Sequence, residues 1–433
     1  MRDPSLAVID PGVTAQRGKH LVAADRGLAT GGGWAAGLFA GGFARVLDRI
    51  DSGIDFGRIE TTLPDGSFRI LGGRGDGPVA IVTFNNWRSL VRLFTSGSVG
   101  WYKAWTLGEW ASPDPVALFD LFSRNARFLG DTGRAKGPWK LVNLIAHKLR
   151  SNHKSRARRN IEHHYDLGND FYAAWLDPGM TYSSAVFAEL PAAQEPLEAA
   201  QERKVRLLLD RLDLKPGQHL LEIGCGWGGL AEIAARDYGV RVTGLTLSSE
   251  QKAYAEQRLA RAGLADRIEI ALVDYRDVEG RFDAVASVEM AEAVGQEYWP
   301  AYLESIAGAL KPGGKAALQL ISIQSDLFEN YAANSDFIQT YVFPGGLLIE
   351  EERFRRIAQA AGLIWQDRAG YGLHYAETLK RWRARFDEAV AEGRLPAGFD
   401  PPFHDLWRYY LMYCEGGFRG GAIDVAQVTL VKA

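Results

Sequence analysis

The chain has 433 residues, 47% of them hydrophobic, and a formal net charge of −3. That length and apolar content suffice for two or more packed domains, and the near-neutral balance gives no whole-chain basic field for nucleic acid. The two cysteines, Cys225 and Cys414, exclude a disulfide framework and a C-x-x-C metal site, and fit a reducing cytoplasm.

The N-terminal stretch has no secretory leader pattern. The longest uncharged window, GLATGGGWAAGLFAGGFA (Gly27 to Ala44), holds seven glycines. A membrane span needs about 20 predominantly apolar residues, so any membrane contact is expected to be peripheral. Residues 1–140 carry short strand-like runs (GRIETTL, GSFRIL, GPVAIVTF) and a Trp/Tyr-rich interval before a helical pattern, and read as a small α+β domain. Residues 141–165 read as a linker, with six Lys/Arg and no acid between His147 and Asn160. Such a run is either a solvated connector or a contact for an anionic membrane surface.

Residues 166–433 read as one domain, in which the pattern from about residue 200 becomes strand–helix alternation, as in a doubly wound α/β sheet. The expected strands are HLLEIG, RVTGLT, IEIALV, FDAVAS and KAALQLISI, with DVAQVTLVKA as a late antiparallel strand. Gly224, Gly226 and Gly229 in LLEIGCGWGGL have G-x-G-x-x-G spacing at a strand-to-helix turn. Glycines there admit a ligand to the backbone, in dinucleotide and S-adenosylmethionine sites alike. A dinucleotide site also expects an acid about 20 residues on, for the ribose. Thr246 stands at that strand end instead, and Glu222 and LKPGGK fit a methyltransferase better. Further on, ASVEMAEAV sets Glu289 and Glu292 three residues apart, on one face if the chain is helical there.

Several long motifs in order resemble the cyclopropane-fatty-acyl-phospholipid synthase family: RRNIEHHYDLGNDFYAAWLDPGMTYSSAVF, the glycine-loop segment, SVEMAEAVG, YVFPGG and YYLMYCEGGFRGGAIDVAQVTLVKA. The resemblance implies a class I methyltransferase sheet preceded by a smaller N-terminal lipid-binding domain. It implies an enzyme that transfers a methyl group from S-adenosylmethionine to an alkene of a phospholipid acyl chain, leaving a cyclopropane or a methyl or methylene branch. Tyr182 and Ser183 would touch the methionine moiety beside Gly224 and Gly226, Thr246 and Gln251 the ribose, and Asp274 and Tyr275 the adenine. A bicarbonate would accept the proton, in a cage of Glu292, Tyr375, Gln319, Ser184 and Ile321, with Glu289 outside it.

Ser184 and Gln319 stand where the family has cysteine and histidine, and Ala293 where many members have histidine. Tyr165, Phe171 and Tyr172 are expected in the acyl channel or in a packed lid, and Cys225 as a small buried filler. No metal is expected, since His163 and His164 lack a third ligand at suitable spacing. The implied partner is a phospholipid membrane surface. A homodimer mate and a separate reductase, which would saturate a methylene product, are also allowed. Two rival readings are a soluble small-molecule N- or O-methyltransferase and a lipid-binding protein with a vestigial cofactor site.

Overall fold

A computed structural model describes residues 17–24, 42–129, 167–192, 194–334 and 336–433. The basic run from His147 to Asn160, His163, His164, Tyr165 and the 141–165 linker lie outside these residues. In the N-terminal part, α1 (Phe43–Ser52) precedes β1 (Phe56–Thr62), β2 (Phe68–Gly72) and β3 (Gly75–Phe84). Then follow α2 (Arg88–Thr106), β4 (Trp110–Ala111) and α3 (Pro115–Arg124). The strands form one sheet in the order β2-β1-β3-β4. Their period-two alternation sends Ile59, Leu71, Ala80 and Val82 into the core under the helices. The other face leaves Phe68, Ile70, Val79 and Ile81 exposed.

Beyond residue 167 come α4 (Leu197–Asp210), β5 (His219–Ile223), α5 (Gly229–Asp237), β6 (Arg241–Leu245), α6 (Ser249–Arg261), β7 (Ile268–Ala271) and β8 (Phe282–Val288). After these follow α7 (Ala291–Val294), α8 (Trp299–Ala309), β9 (Leu310–Ile323), α9 (Glu351–Ala360), β10 (Leu363–Gly370), α10 (Gly372–Ala391), α11 (Pro401–Gly420) and β11 (Ile423–Lys432). The seven strands run β10-β11-β9-β8-β5-β6-β7. β5 to β9 pair in parallel, and β11 lies antiparallel between β9 and β10. The expected strands are all present; β10, LIWQDRAG, is an addition. The chain leaves β5 toward β6 and β7, then returns to the other side of β5 as β8. In open parallel sheets ligands bind at the carboxyl ends where the order reverses. Here that point lies between Gly224 and Glu289.

The N-terminal part is seated on the second part through α3 and α11. A Cβ on Gly416 would lie 2.3 Å from the Phe119 Cβ, so only glycine lets the helices approach this closely. Ser123 Oγ donates to Gly417 O at 2.7 Å and accepts from Ala422 N at 3.1 Å, tying the two parts together.

Candidate active site

The turn after β5 is a backbone crossing. Gly224 has φ 83°, and a Cβ there would meet the Met290 side chain at 2.5 Å. A Cβ on Gly226 would meet nothing within 4 Å, because that position borders a cavity of about 440 Å³. Tyr182, Ser183, Gly224, Gly226, Thr246, Gln251, Asp274 and Tyr275 all line this cavity. Thr246 Oγ1 donates to Gln251 Oε1 at 2.8 Å, and the Ser248 hydroxyl caps α6 by accepting from Gln251 N at 3.2 Å. Asp274 holds the Arg276 guanidinium at 2.6 and 2.8 Å, and that group lies 5.4 Å over the Tyr275 ring. The Tyr182 and Tyr410 hydroxyls are 2.9 Å apart. Glu222 is buried on the same cavity with its Oε2 unpartnered, and burial pushes its carboxyl up to about 8.

The two glutamates do not share a helical face. Glu289 sits in the turn between β8 and α7 with φ 52°, a left-handed conformation uncommon outside glycine. That turn aims the side chain back over the sheet. Its Oε1 accepts from Ser184 N at 2.9 Å and from Gln319 Nε2 at 2.8 Å; its Oε2 accepts from Tyr375 OH at 2.8 Å. Glu292, in α7, accepts from Ile321 N through Oε1, and its buried Oε2 has no partner. The expectation that Glu289 lies outside the cage is therefore corrected: three of the five cage positions bond Glu289, and one bonds Glu292. The expected bicarbonate does not fit this arrangement, because a side-chain carboxylate already uses the donors that would hold it.

Electrostatics separates the pair. Burial raises both carboxyls, but Glu289 is partly compensated by the Ser184 amide, the Lys204 ammonium, Gln319 and Tyr375. Glu292 is compensated by backbone amides alone, of Ile321 and of its own residue, and feels the Glu289 charge, so burial pushes it up to about 8. A charge shared by the pair is accordingly better held by Glu289, and a proton by Glu292. Burial, followed by the Glu289 charge, pushes the Tyr375 phenol well above its usual range and keeps it a donor. Gln319 is itself oriented by Gln427 Nε2, which donates to its Oε1 at 3.1 Å.

Lys204 is the functional residue that the sequence reading missed. It is fully buried in α4, donates to Ser183 Oγ at 2.6 Å, and burial drops its ammonium to about 8 against the pull of Glu289, Asp177 and Glu222. The signal lay in the helical stripe Leu197, Ala200, Gln201, Lys204, Val205, Leu208, where two polar residues occupy core positions. Gln201 donates to Ser183 O at 2.8 Å, so both polar members serve the same loop. Phe171 and Tyr172 are fully buried among Trp175, Trp407 and their neighbours, a packed aromatic cluster outside the cavity walls. Cys225 is buried with its thiol raised well above its usual range, as a filler would be.

A second cavity, of about 480 Å³, meets the first. Tyr182, Glu289, Ala293, Phe343 and Gly346 line both. From Glu289, Glu292 and Tyr375 its wall runs past Leu379 and Phe418, and among its described lining residues there is no Lys, Arg or His. Two cavities, the first lined by more charged side chains and the second without a described cation, thus meet at one buried carboxylate.

Residues 152–428 match the family described as mycolic acid cyclopropane synthetase. The chain is 40% identical over 357 residues to the tuberculostearic acid methyltransferase UfaA1 of Mycobacterium tuberculosis, covering 79% of this chain and 80% of that one. It is 35% identical over 347 residues to the cyclopropane-fatty-acyl-phospholipid synthase of Escherichia coli K12, covering 79% and 85%. Among solved structures, the mycolic acid cyclopropane synthase CmaA1 complexed with SAH and CTAB superposes with a TM-score of 0.59 at 30% identity, over 65% of this chain and 99% of that one. With a seven-stranded class I methyltransferase sheet and a cofactor cavity at its switch point, the chain belongs to the mycolic acid cyclopropane synthetase family and is an S-adenosylmethionine-dependent methyltransferase.

Proposed function

We propose that this enzyme adds a one-carbon unit to the double bond of an unsaturated phospholipid acyl chain, with Glu289 as the proton acceptor. The observation that carries the reading is the junction of the two cavities at Glu289. A base placed there reaches both a hydrocarbon chain on one side and the incoming carbon on the other.

S-adenosylmethionine, when bound, supplies an electrophilic methyl group. The residues of the first cavity suit it. The open face of Gly226 admits a ligand to the backbone, Thr246 and Gln251 offer a hydroxyl–amide pair for a ribose, and Tyr275 offers a ring face for adenine. The orphaned oxygen of Glu222 suits an ammonium group, and a cation there would offset the cost of that buried carboxylate.

In the reaction, the alkene π pair would form the new carbon–carbon bond as the methyl–sulfur pair returns to sulfur and S-adenosylhomocysteine leaves, placing a cation on the adjacent chain carbon. Glu289 takes a proton from the new methyl carbon. The released C–H pair closes a cyclopropane ring or, after a hydride shift along the chain, forms a methylene branch. Glu289 ends as a neutral acid, a change that its burial favours. The apolar lining keeps water from quenching the cation. An amine or hydroxyl acceptor, as in the rival methyltransferase reading, would need no such cavity.

The substrate resides in a membrane, and we place the contact on the exposed apolar face of the N-terminal sheet, at Phe68, Ile70, Val79 and Ile81. Association with phospholipid vesicles should then persist at high salt, because apolar burial is not screened, and should fall when Ile70 and Ile81 are both replaced by Glu. Loss of binding at high salt would move the contact to charged segments. The reaction itself is tested by incubating the protein with labelled S-adenosylmethionine and vesicles of mixed unsaturated phospholipids, then identifying the acyl product. A ring or branch on the chain is expected; label only on a head group would overturn the proposal.

A further inference from the structure

The second cavity does not end within the family segment. Its far wall is built by Ile50 of α1, Leu93 and Trp101 of α2, Phe119 and Phe122 of α3, and Leu129, all outside residues 152–428. Ile50, Leu93, Trp101 and Phe119 are buried, and the wall is held against the second part by the Gly416 contact and the Ser123 hydrogen bonds. The N-terminal part is therefore a fixed wall of the substrate cavity as well as a surface.

We propose that this wall selects which double bond is modified, by stopping the methyl end of the acyl chain at a set distance from Glu289. The inference rests on the acyl-chain reading above. The chain must enter this end methyl-first. A phosphate head group carries charge, which is costly to bury without a partner. No described cation lines the cavity, and the one ionisable carboxyl besides Glu289 and Glu292, Asp336, would repel it. With the methyl end against Leu93 and Phe122, the reacting carbons are counted from that end and not from the ester.

Palmitoleoyl, oleoyl and cis-vaccenoyl chains separate the two counts. Palmitoleoyl and cis-vaccenoyl share the segment from double bond to methyl end, which is longer in oleoyl; palmitoleoyl and oleoyl share the segment to the ester. Vesicles holding equal amounts of phosphatidylglycerol with each chain are incubated with enzyme and S-adenosylmethionine, and the products are resolved by mass spectrometry. Leu93→Trp, which shortens the cavity, should lower oleoyl product relative to the other two by about tenfold or more, since one methylene in an apolar pocket is worth about 10–200-fold. Phe122→Ala, which lengthens it, should shift the ratio the opposite way. In both variants palmitoleoyl and cis-vaccenoyl should move together. Cofactor affinity, measured alongside, reports folding, and if Leu93→Trp fails to fold, Phe122→Ala decides. Equal loss of all three products, an unchanged ratio, or palmitoleoyl moving with oleoyl would overturn the inference. Absence of acyl product from the wild type would instead overturn the reading beneath it.

Discussion

Replacing Glu289 by glutamine removes the base and little else. The amide oxygen can still accept from Ser184 N and Gln319 Nε2, now at 2.9 and 2.8 Å from the carboxylate, and the new amide group can donate to the Tyr375 hydroxyl, which turns to accept. A positioned base contributes about 10²–10⁴-fold, or about 2.7–5.4 kcal/mol of barrier, and the single-turnover rate should fall by that factor. Glu292→Gln is the control. Its carboxyl, raised to about 8 by burial, is already neutral at pH 7, and an amide oxygen can still accept from Ile321 N. That variant should stay within about tenfold of the wild type. The assay is quenched-flow formation of acyl product at saturating S-adenosylmethionine, with cofactor affinity measured by calorimetry and expected to be nearly unchanged in both variants. If Glu289→Gln retains a near wild-type rate while Glu292→Gln loses activity, the assignment of the base is refuted.

Tyr375→Phe deletes a donor that lowers the Glu289 carboxyl, so the acidic limb of the kcat/KM profile should move to higher pH; an unmoved limb would mean that another group titrates there. Gly226→Leu should abolish S-adenosylmethionine binding in calorimetry by filling the open side of the loop, while the left-handed backbone at that position, strained by about 1–2 kcal/mol with a side chain, lowers the thermal midpoint without cofactor by only a few degrees. Glu292 binds its proton more tightly folded, at about 8, than at its ordinary 4.5. The stability it lends is therefore complete below the ordinary value and is lost as pH rises through the folded one. Urea midpoints of wild type minus Glu292→Gln should decline across that window, and a flat difference would contradict the burial argument.

The second part of the fold was legible because strand runs and glycine spacing report parallel-sheet units directly, and all eight expected cofactor residues line one cavity. β10 was less so: in LIWQDRAG polar residues interrupt the apolar run, since the strand is at the sheet edge. Glu289 was misread because the family resemblance gives the cage a single glutamate, at Glu292, whereas α7 begins only at Ala291 and a left-handed turn brings the preceding carboxylate onto the same donors. Lys204 was hidden because a lysine in a helix reads as surface unless its place in the apolar stripe is weighed. The wall from Ile50 to Leu129 has no local signature: only the docking of α3 on α11 brings it to the cavity.

The central claim is that Glu289, between the two cavities, takes its proton from the transferred methyl carbon. It is tested most directly by incubating the enzyme with S-adenosylmethionine fully deuterated in the methyl group and unsaturated phospholipid vesicles, then weighing the acyl product. Retention of all but one of the methyl deuterons is predicted, as both a ring and a methylene branch require. Retention of every deuteron would place the proton loss on a chain carbon and contradict the account.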